Sequence, residues 1–112
     1  MIPLLEEDDP YNDPLLYTNW YYYMDKYGLE NLQTFFIGVD ISAEKESRFL
    51  YDGVNYFYVV MVYETDGWRI AEFSQANLRL VEMYAPNDEK TQMYIQARLN
   101  GIMPNAADEE ID

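Results

Sequence analysis

The chain has 112 residues, with 21 acidic side chains against seven basic ones, a formal charge of −14 and an apolar fraction of 49% that includes 12 Tyr, five Phe and two Trp. Acidic chains that stay unfolded are poor in aromatic residues, so this composition points to one folded domain with the modest core a chain of this size can bury. The absence of Cys and His excludes a thiol nucleophile, a disulfide, a Ser-His-Asp triad, an imidazole base and a thiolate- or imidazole-ligated metal.

The same absence is compatible with the cytoplasm and with a bacterial exterior, so it does not fix the compartment. No run approaches the roughly 20 apolar residues of a membrane span. The start, Met1-Ile2-Pro3-Leu4-Leu5, runs directly into Glu6-Glu7-Asp8-Asp9 without the basic and apolar regions of a signal peptide.

Glu6, Glu7, Asp8, Asp9 and Asp13 precede Pro14, Asp108, Glu109, Glu110 and Asp112 follow Pro104, and every basic residue lies between the two prolines. The chain therefore divides into an acidic N-terminal arm over residues 1–13, a single α+β domain over 14–103 and an acidic tail or linker over 104–112. Without a basic footprint, direct binding to nucleic-acid phosphates or to anionic lipid is not expected, and without a long apolar run neither is insertion into a membrane. The acidic ends read as solvated termini, the alternative being an arm for a basic partner. Residues 6–13 lack both the Asp-x-Asp-x-Asp-Gly spacing and the trailing Glu of a calcium loop, so no metal is expected, and no cofactor.

The first element predicted is a helix, capped by Asp13, opened by Pro14 and closed by Gly28. Leu16, Trp20, Tyr23 or Met24, and Tyr27 form its apolar stripe. Tyr21, Tyr22 and Tyr23 in succession point around most of a helix, so at least one ring must be exposed. From Leu32 the period changes to two: Phe35, Ile37, Val39 and Ile41 alternate with Thr34, Phe36, Gly38 and Asp40, which predicts a strand with the first set buried.

Arg48 to Tyr51 and Val54 to Tyr63 flank Asp52-Gly53, the pattern of a two-residue hairpin, and Thr65-Asp66-Gly67 leads into a last strand, Trp68 to Phe73. These four strands are expected to form an antiparallel meander, with Val54–Tyr63 central because both of its faces are largely apolar. One face can take the helix, and the other needs the C-terminal segment, a partner subunit or a neighbouring domain. Ser74 is the predicted cap of a short helix ending at Ala85-Pro86. Asn87 is the predicted cap of a second, whose face of Tyr94, Ala97, Arg98 and Leu99 is expected at the surface.

The stretch Tyr51 to Glu64, followed by Asp66-Gly67-Trp68-Arg69-Ile70-Ala71-Glu72-Phe73-Ser74, resembles the last strands of NTF2-like and cystatin-like small α+β domains, in which a long bent strand crosses to a terminal strand of the form Gly-Trp-x-Ile-x-Glu. The resemblance covers roughly residues 32–75. It implies an accessory module of the kind found in exported bacterial proteins beside cell-wall domains. Enzymatic members of that superfamily use a carboxylate base and a Tyr donor, which here would be Asp40 or Glu72 with Tyr56 or Tyr58. Each of these also has an ordinary structural role: Asp40 near a strand end, Glu72 paired at the sheet surface, the tyrosines packed.

The expectation is therefore a non-catalytic interaction module with a protein partner or neighbouring domain, a homodimer being compatible with the same surface. The candidate binding residues are Tyr21, Tyr22, Tyr56, Tyr58 and Trp68, because Tyr and Trp offer large contact area with a polar tip. A free-standing acidic inhibitor that imitates DNA charge is the second reading, and a pocket enzyme with a carboxylate base is the third.

Overall fold

The structure, a computed structural model, describes residues 1–42 and 51–100. It is an α+β fold in which a four-stranded antiparallel sheet, in the order β1-β2-β3-β4, carries its helices on one face. The strands are β1 (Ile2–Pro3), β2 (Leu32–Ile41), β3 (Gly53–Glu64) and β4 (Gly67–Gln75), and the helices are α1 (Trp20–Tyr27), α2 (Leu78–Tyr84) and α3 (Glu89–Leu99).

The first helix is shorter than the apolar stripe predicts. Asp13 caps as expected, but its carboxylate accepts from the Leu15 amide at 3.1 Å to hold a single 3-10 turn over Pro14–Tyr17. Thr18 then adopts extended backbone, and its hydroxyl accepts from the Trp20 amide at 3.1 Å, so the α-helix begins only there. The break rotates the stripe: Leu15 and Trp20 are buried, and Leu16 is exposed. Gly28 ends α1 at φ +85°, a conformation that costs a residue with a Cβ.

The first thirteen residues, expected as an arm, are built onto the domain. Ile2 and Pro3 pair with Phe36 and Phe35 along the edge of β2, where a proline without an N–H is tolerated. Leu4 is buried in the core, with its amide bonded to the Thr34 carbonyl at 2.8 Å. These residues supply the fourth strand. Of the strand expected over Arg48–Tyr51, Arg48 to Leu50 lie outside the described residues and Tyr51 is not in a strand. Asp52-Gly53 is accordingly not a two-residue turn between that segment and β3: Gly53 opens β3 at φ +146° and pairs with Ile41 of β2. The tail expected over 104–112 also lies outside the described residues.

At the other end, β4 runs on through Ser74 to Gln75, and Asn77, not Ser74, caps α2 by accepting from the Arg79 amide at 2.7 Å. Asp88, not Asn87, caps α3, accepting from the Thr91 amide at 2.9 Å, which holds its carboxyl below the usual range. The α3 helix is not superficial. Tyr94, Ala97 and Arg98 are buried, the Tyr94 ring meets Tyr56 edge-on at 4.9 Å, and the Arg98 guanidinium lies over the Tyr94 ring while donating to the Ala76 carbonyl. Only Leu99 of the expected surface set is exposed.

The core is one continuous cluster. It gathers the alternate residues Leu32 and Phe36 of β2 and Tyr56, Tyr58, Val60 and Val62 of β3 against Leu4, Leu15, Trp20, Leu80, Val81 and Tyr94. This reverses the face expected for β2. Leu32, Thr34 and Phe36 point into the core, and Phe35, Ile37, Val39 and Ile41 lie half-buried on the opposite side.

Candidate interaction surface

The opposite side of the sheet is assembled by register. Residues directly across an antiparallel ladder share a face, so Phe35 lines up with Val59 and Phe73, Ile37 with Phe57, Met61 with Ile70, and Tyr63 with Trp68. Among the described residues no helix packs on this face. Tyr63 is 44% exposed, Trp68 43%, Ile70 61% and Phe73 52%, whereas Val59 beneath Phe35 and Phe73 is buried. Tyr63 and Trp68 meet edge-on at 5.5 Å and Phe57 meets Phe73 at 4.7 Å, so the aromatic rings lie against one another.

A bulge in β4 decides what this face contains. The pairing shifts between Val60 and Met61: Ile70 pairs with Met61 and Glu72 with Val60, leaving Ala71 as the extra residue. With strict alternation from Trp68, Glu72 would share a face with Ile70 and put a carboxylate in the middle of the apolar surface. The bulge turns Glu72 to the helix side and brings Phe73 into line with Ile70. No residue of the open face of β2, β3 or β4 carries a charge from Gln33 across to Gln75.

On the helix side Glu72 becomes a latch. Its carboxylate accepts from Asn19 Nδ2 at 3.0 Å, from the Tyr23 hydroxyl at 3.1 Å, from Ser74 Oγ at 2.7 Å and from the Tyr58 hydroxyl. Burial pushes its pKa upward, but the four donors outweigh burial and hold it below the usual glutamate range. For Tyr58, burial first and the bond to Glu72 second push the hydroxyl up to about 12. The bond between Tyr58 and Glu72 joins β3 to β4, and those from Asn19 and Tyr23 tie α1 to β4. Asp40 is exposed at the far end of β2, and the Tyr56 hydroxyl is bonded to Thr91 Oγ1 at 2.8 Å.

The five candidate binding residues fall into three places. Tyr56 and Tyr58 are buried in the core under the helices. Tyr21 and Tyr22 are exposed on α1, where the Tyr21 hydroxyl donates to Asp13 at 2.7 Å and to Glu6 at 3.1 Å. The bond to Asp13, with burial and the Glu6 bond behind it, pushes the Tyr21 hydroxyl well above the usual phenol range. Trp68 alone of the five is on the open sheet face, among Phe35, Ile37, Phe57, Ile70 and Phe73, which sequence reasoning did not single out. The available clue was the doubly apolar Val54–Tyr63 run, which requires that something apolar remain on the second face.

Among the described residues no group of three or more acidic side chains is placed to hold a metal ion, and no helix is long and apolar enough to cross a membrane. Comparison with protein-family models, with curated proteins and with solved structures gave no match.

Proposed function

We propose that the protein is a non-catalytic interaction module whose working surface is the open face of the sheet, and that its partner is a protein surface apolar at the centre and basic at the rim. The observation that carries this reading is the charge-free face centred on Ile70 and Phe73. With aromatic side chains contributing about 150–250 Å2 each, the exposed parts of Tyr63, Trp68, Ile70 and Phe73 come to roughly 400 Å2. That already matches the largest patch of a typical monomer, and the half-buried neighbours extend it toward the roughly 800 Å2 per side of a standard interface.

Charge selects the partner. The face is embedded in a chain of net charge −14, so a second copy would bring an equal negative charge, whereas a basic rim would be attracted. Glu64, exposed at the β3–β4 turn beside Tyr63, is where such a rim would meet the face, while the neighbouring Asp66 is already paired with Arg69 at 3.0 Å. The accessory setting implied by the resemblance to NTF2-like domains belongs to the same reading, the partner then being a neighbouring domain or protein of the cell envelope. The lowered pKa of Glu72 and its four donors argue against its use as a general base, which works best with a pKa near the operating pH.

The reading as an acidic inhibitor of a nucleic-acid-binding enzyme draws support from one feature, the attachment of Glu6 and Asp13 to the folded body through Tyr21. The two readings separate by which residues matter. Replacing Ile70 in the full chain by the photoreactive residue benzoylphenylalanine is expected to give a light-dependent crosslink to a basic protein, and the same replacement at the exposed Leu16 is not. With that partner purified, Phe73→Asp should weaken binding by at least about 10-fold. Crosslinks only between copies of this chain, or a partner lost on neutralising Glu6 to Asp9 but not by Phe73→Asp, would sink the proposal.

A further inference from the structure

The outer edge of β2 is only partly covered. β1 pairs with Phe36 and Phe35, and the Leu4 amide bonds to the Thr34 carbonyl, but β2 runs on to Ile41 with no strand beside it on that side among the described residues. Backbone groups alternate between the two sides of a strand, so those of Phe36, Gly38 and Asp40 face the same way as the Thr34 carbonyl. Gly38 and Asp40 are exposed, and among the described residues nothing bonds to their outward amides and carbonyls. Such an edge is a template for another extended chain.

Beside this edge lies a cleft of about 400 Å3, lined by the half-buried Tyr84 and Val54 next to the rings of Phe36 and Tyr56. Gly38 keeps it open on the helix side: a Cβ there would stand 3.0 Å from Tyr56 Cε1. Asp40, Asp88 and Lys90 line the same cleft and are exposed, with no ion pair to one another. Two carboxylates against one ammonium favour a cation.

We infer that the β2 edge at Gly38 and Asp40 binds an extended peptide of a partner protein, in line with β1, that carries a basic residue two positions before a large apolar one. Residues directly across a ladder share a face. The peptide residue opposite Gly38 therefore points its side chain into the cleft beside Tyr56 and Tyr84, and the one opposite Asp40 points toward the carboxylates. An antiparallel chain runs from Asp40 to Gly38, which puts the basic residue first. Gly38 and Asp40 can each exchange two hydrogen bonds with it. The site lies on the far edge of the sheet from β4 and does not rest on the proposed docking role of the open face.

The test titrates the full chain, labelled with nitrogen-15, with the peptide acetyl-Thr-Arg-Thr-Phe-amide, whose residues stand opposite Ile41, Asp40, Val39 and Gly38 in turn. Saturable NMR shifts of the Gly38 and Asp40 amides are expected, with a Kd on the order of 0.1–1 mM. Methylating the peptide nitrogen of Arg or of Phe, both of which face β2, should weaken binding at least about 10-fold. Methylating that of the Thr between them, which faces solvent, should change it less than about 2-fold. Replacing the peptide Arg by Gln should weaken binding about 3-fold, and Asp40→Asn in the protein should remove most of that preference. Asp40→Pro should abolish binding, since the N–H it removes faces away from β3. No saturable binding, equal effects of methylation at all three nitrogens, equal binding of the Arg and Gln peptides, or shifts confined to Ile70 and Phe73 would each overturn the assignment; the last would place the peptide on the open face.

Discussion

The two faces of one sheet are made of similar residues and meet opposite fates. On the helix side Tyr56, Tyr58, Val60 and Val62 are covered by α1, α2, α3 and the N-terminal segment. On the other side Phe57, Met61 and Tyr63 of the same strand, with Trp68, Ile70 and Phe73 of the next, have no helix over them among the described residues. Hydrophobicity therefore does not by itself tell which side of a strand is the core. The difference shows in the polar groups: Glu72 and Ser74 are on the covered side, where Glu72 accepts from Asn19 and Tyr23 and so holds α1, and no residue on the open side of β2, β3 or β4 carries a charge. A surface that is apolar, charge-free and uncovered among the described residues is the feature on which the proposed docking role rests.

The sharpest way to break the comparison is to truncate one residue on each side. Tyr94→Ala on the covered side should cost about 3–5 kcal/mol, since a fully buried aromatic leaves a cavity, whereas Ile70→Ala on the open side should cost less than about 1 kcal/mol. Urea unfolding of the two variants measures both, and equal losses would mean that both faces are covered. Next in size, Glu72→Ala should cost about 2–3 kcal/mol by stranding Asn19, Tyr23, Tyr58 and Ser74, and the change should appear first as loosening of α1 in hydrogen exchange.

The latch also gives the stability a definite dependence on pH. Glu72 has a folded pKa below its ordinary 4.5, so its contribution is complete above about pH 5 and is lost as the pH falls through that lower folded value. Tyr58 is raised from 10.0 to about 12, so its contribution is complete below pH 10 and disappears as the pH rises toward 12. Melting temperatures across pH 3–6 should converge for wild type and Glu72→Gln at the acid end; parallel curves would contradict the latch.

The smallest effect expected is from deleting Ala71. Because Ala71 is the surplus residue of the bulge, its removal leaves Ile70 and Phe73 on the open side and Glu72 on the covered side, with a loss smaller than that of Glu72→Ala. Deleting Ser74 instead would disturb the register beyond it and should be far more damaging. A comparison of the two deletions by circular dichroism and thermal melting distinguishes a bulge from an ordinary strand position.

Much of this architecture is legible in the sequence, and the parts that are not share a cause. Alternation in Phe35 to Ile41 sets a period of two, but the adjacent Phe35 and Phe36 leave the phase to be decided by what packs on which side, and that is a tertiary choice. The same holds for Tyr94 and Arg98: a mixed face reads as surface unless one knows that the guanidinium reaches the Ala76 carbonyl and covers a tyrosine ring. Gly28 and the Asp66-Gly67 turn were readable because backbone conformation is a local property, with Gly28 at φ +85° and Gly67 at φ +143°. The cap positions moved by one to three residues, from Ser74 to Asn77 and from Asn87 to Asp88, because neighbouring residues of similar capping ability compete and packing selects among them.

For the site, Trp68 was visible as an aromatic after an Asp-Gly turn, but its companions depend on the bulge at Ala71, which has no sequence signature of its own. The acidic start was the harder case. Its charge suggested a detached arm, and only the packing of Leu4 and the pairing of Ile2 with Phe36 reveal that it closes one edge of the sheet.

The two tryptophans stand on opposite sides of the account and allow the most direct test of it. In the full chain, single-tryptophan variants Trp20→Phe and Trp68→Phe can be compared by acrylamide quenching of fluorescence, since Trp20 is 5% exposed and Trp68 is 43% exposed. The open face predicts that the variant retaining Trp68 is quenched several-fold more efficiently than the one retaining Trp20. Equal quenching, with Trp68 as shielded as Trp20, would show that the face is already covered within the chain itself and would contradict its role as a docking surface.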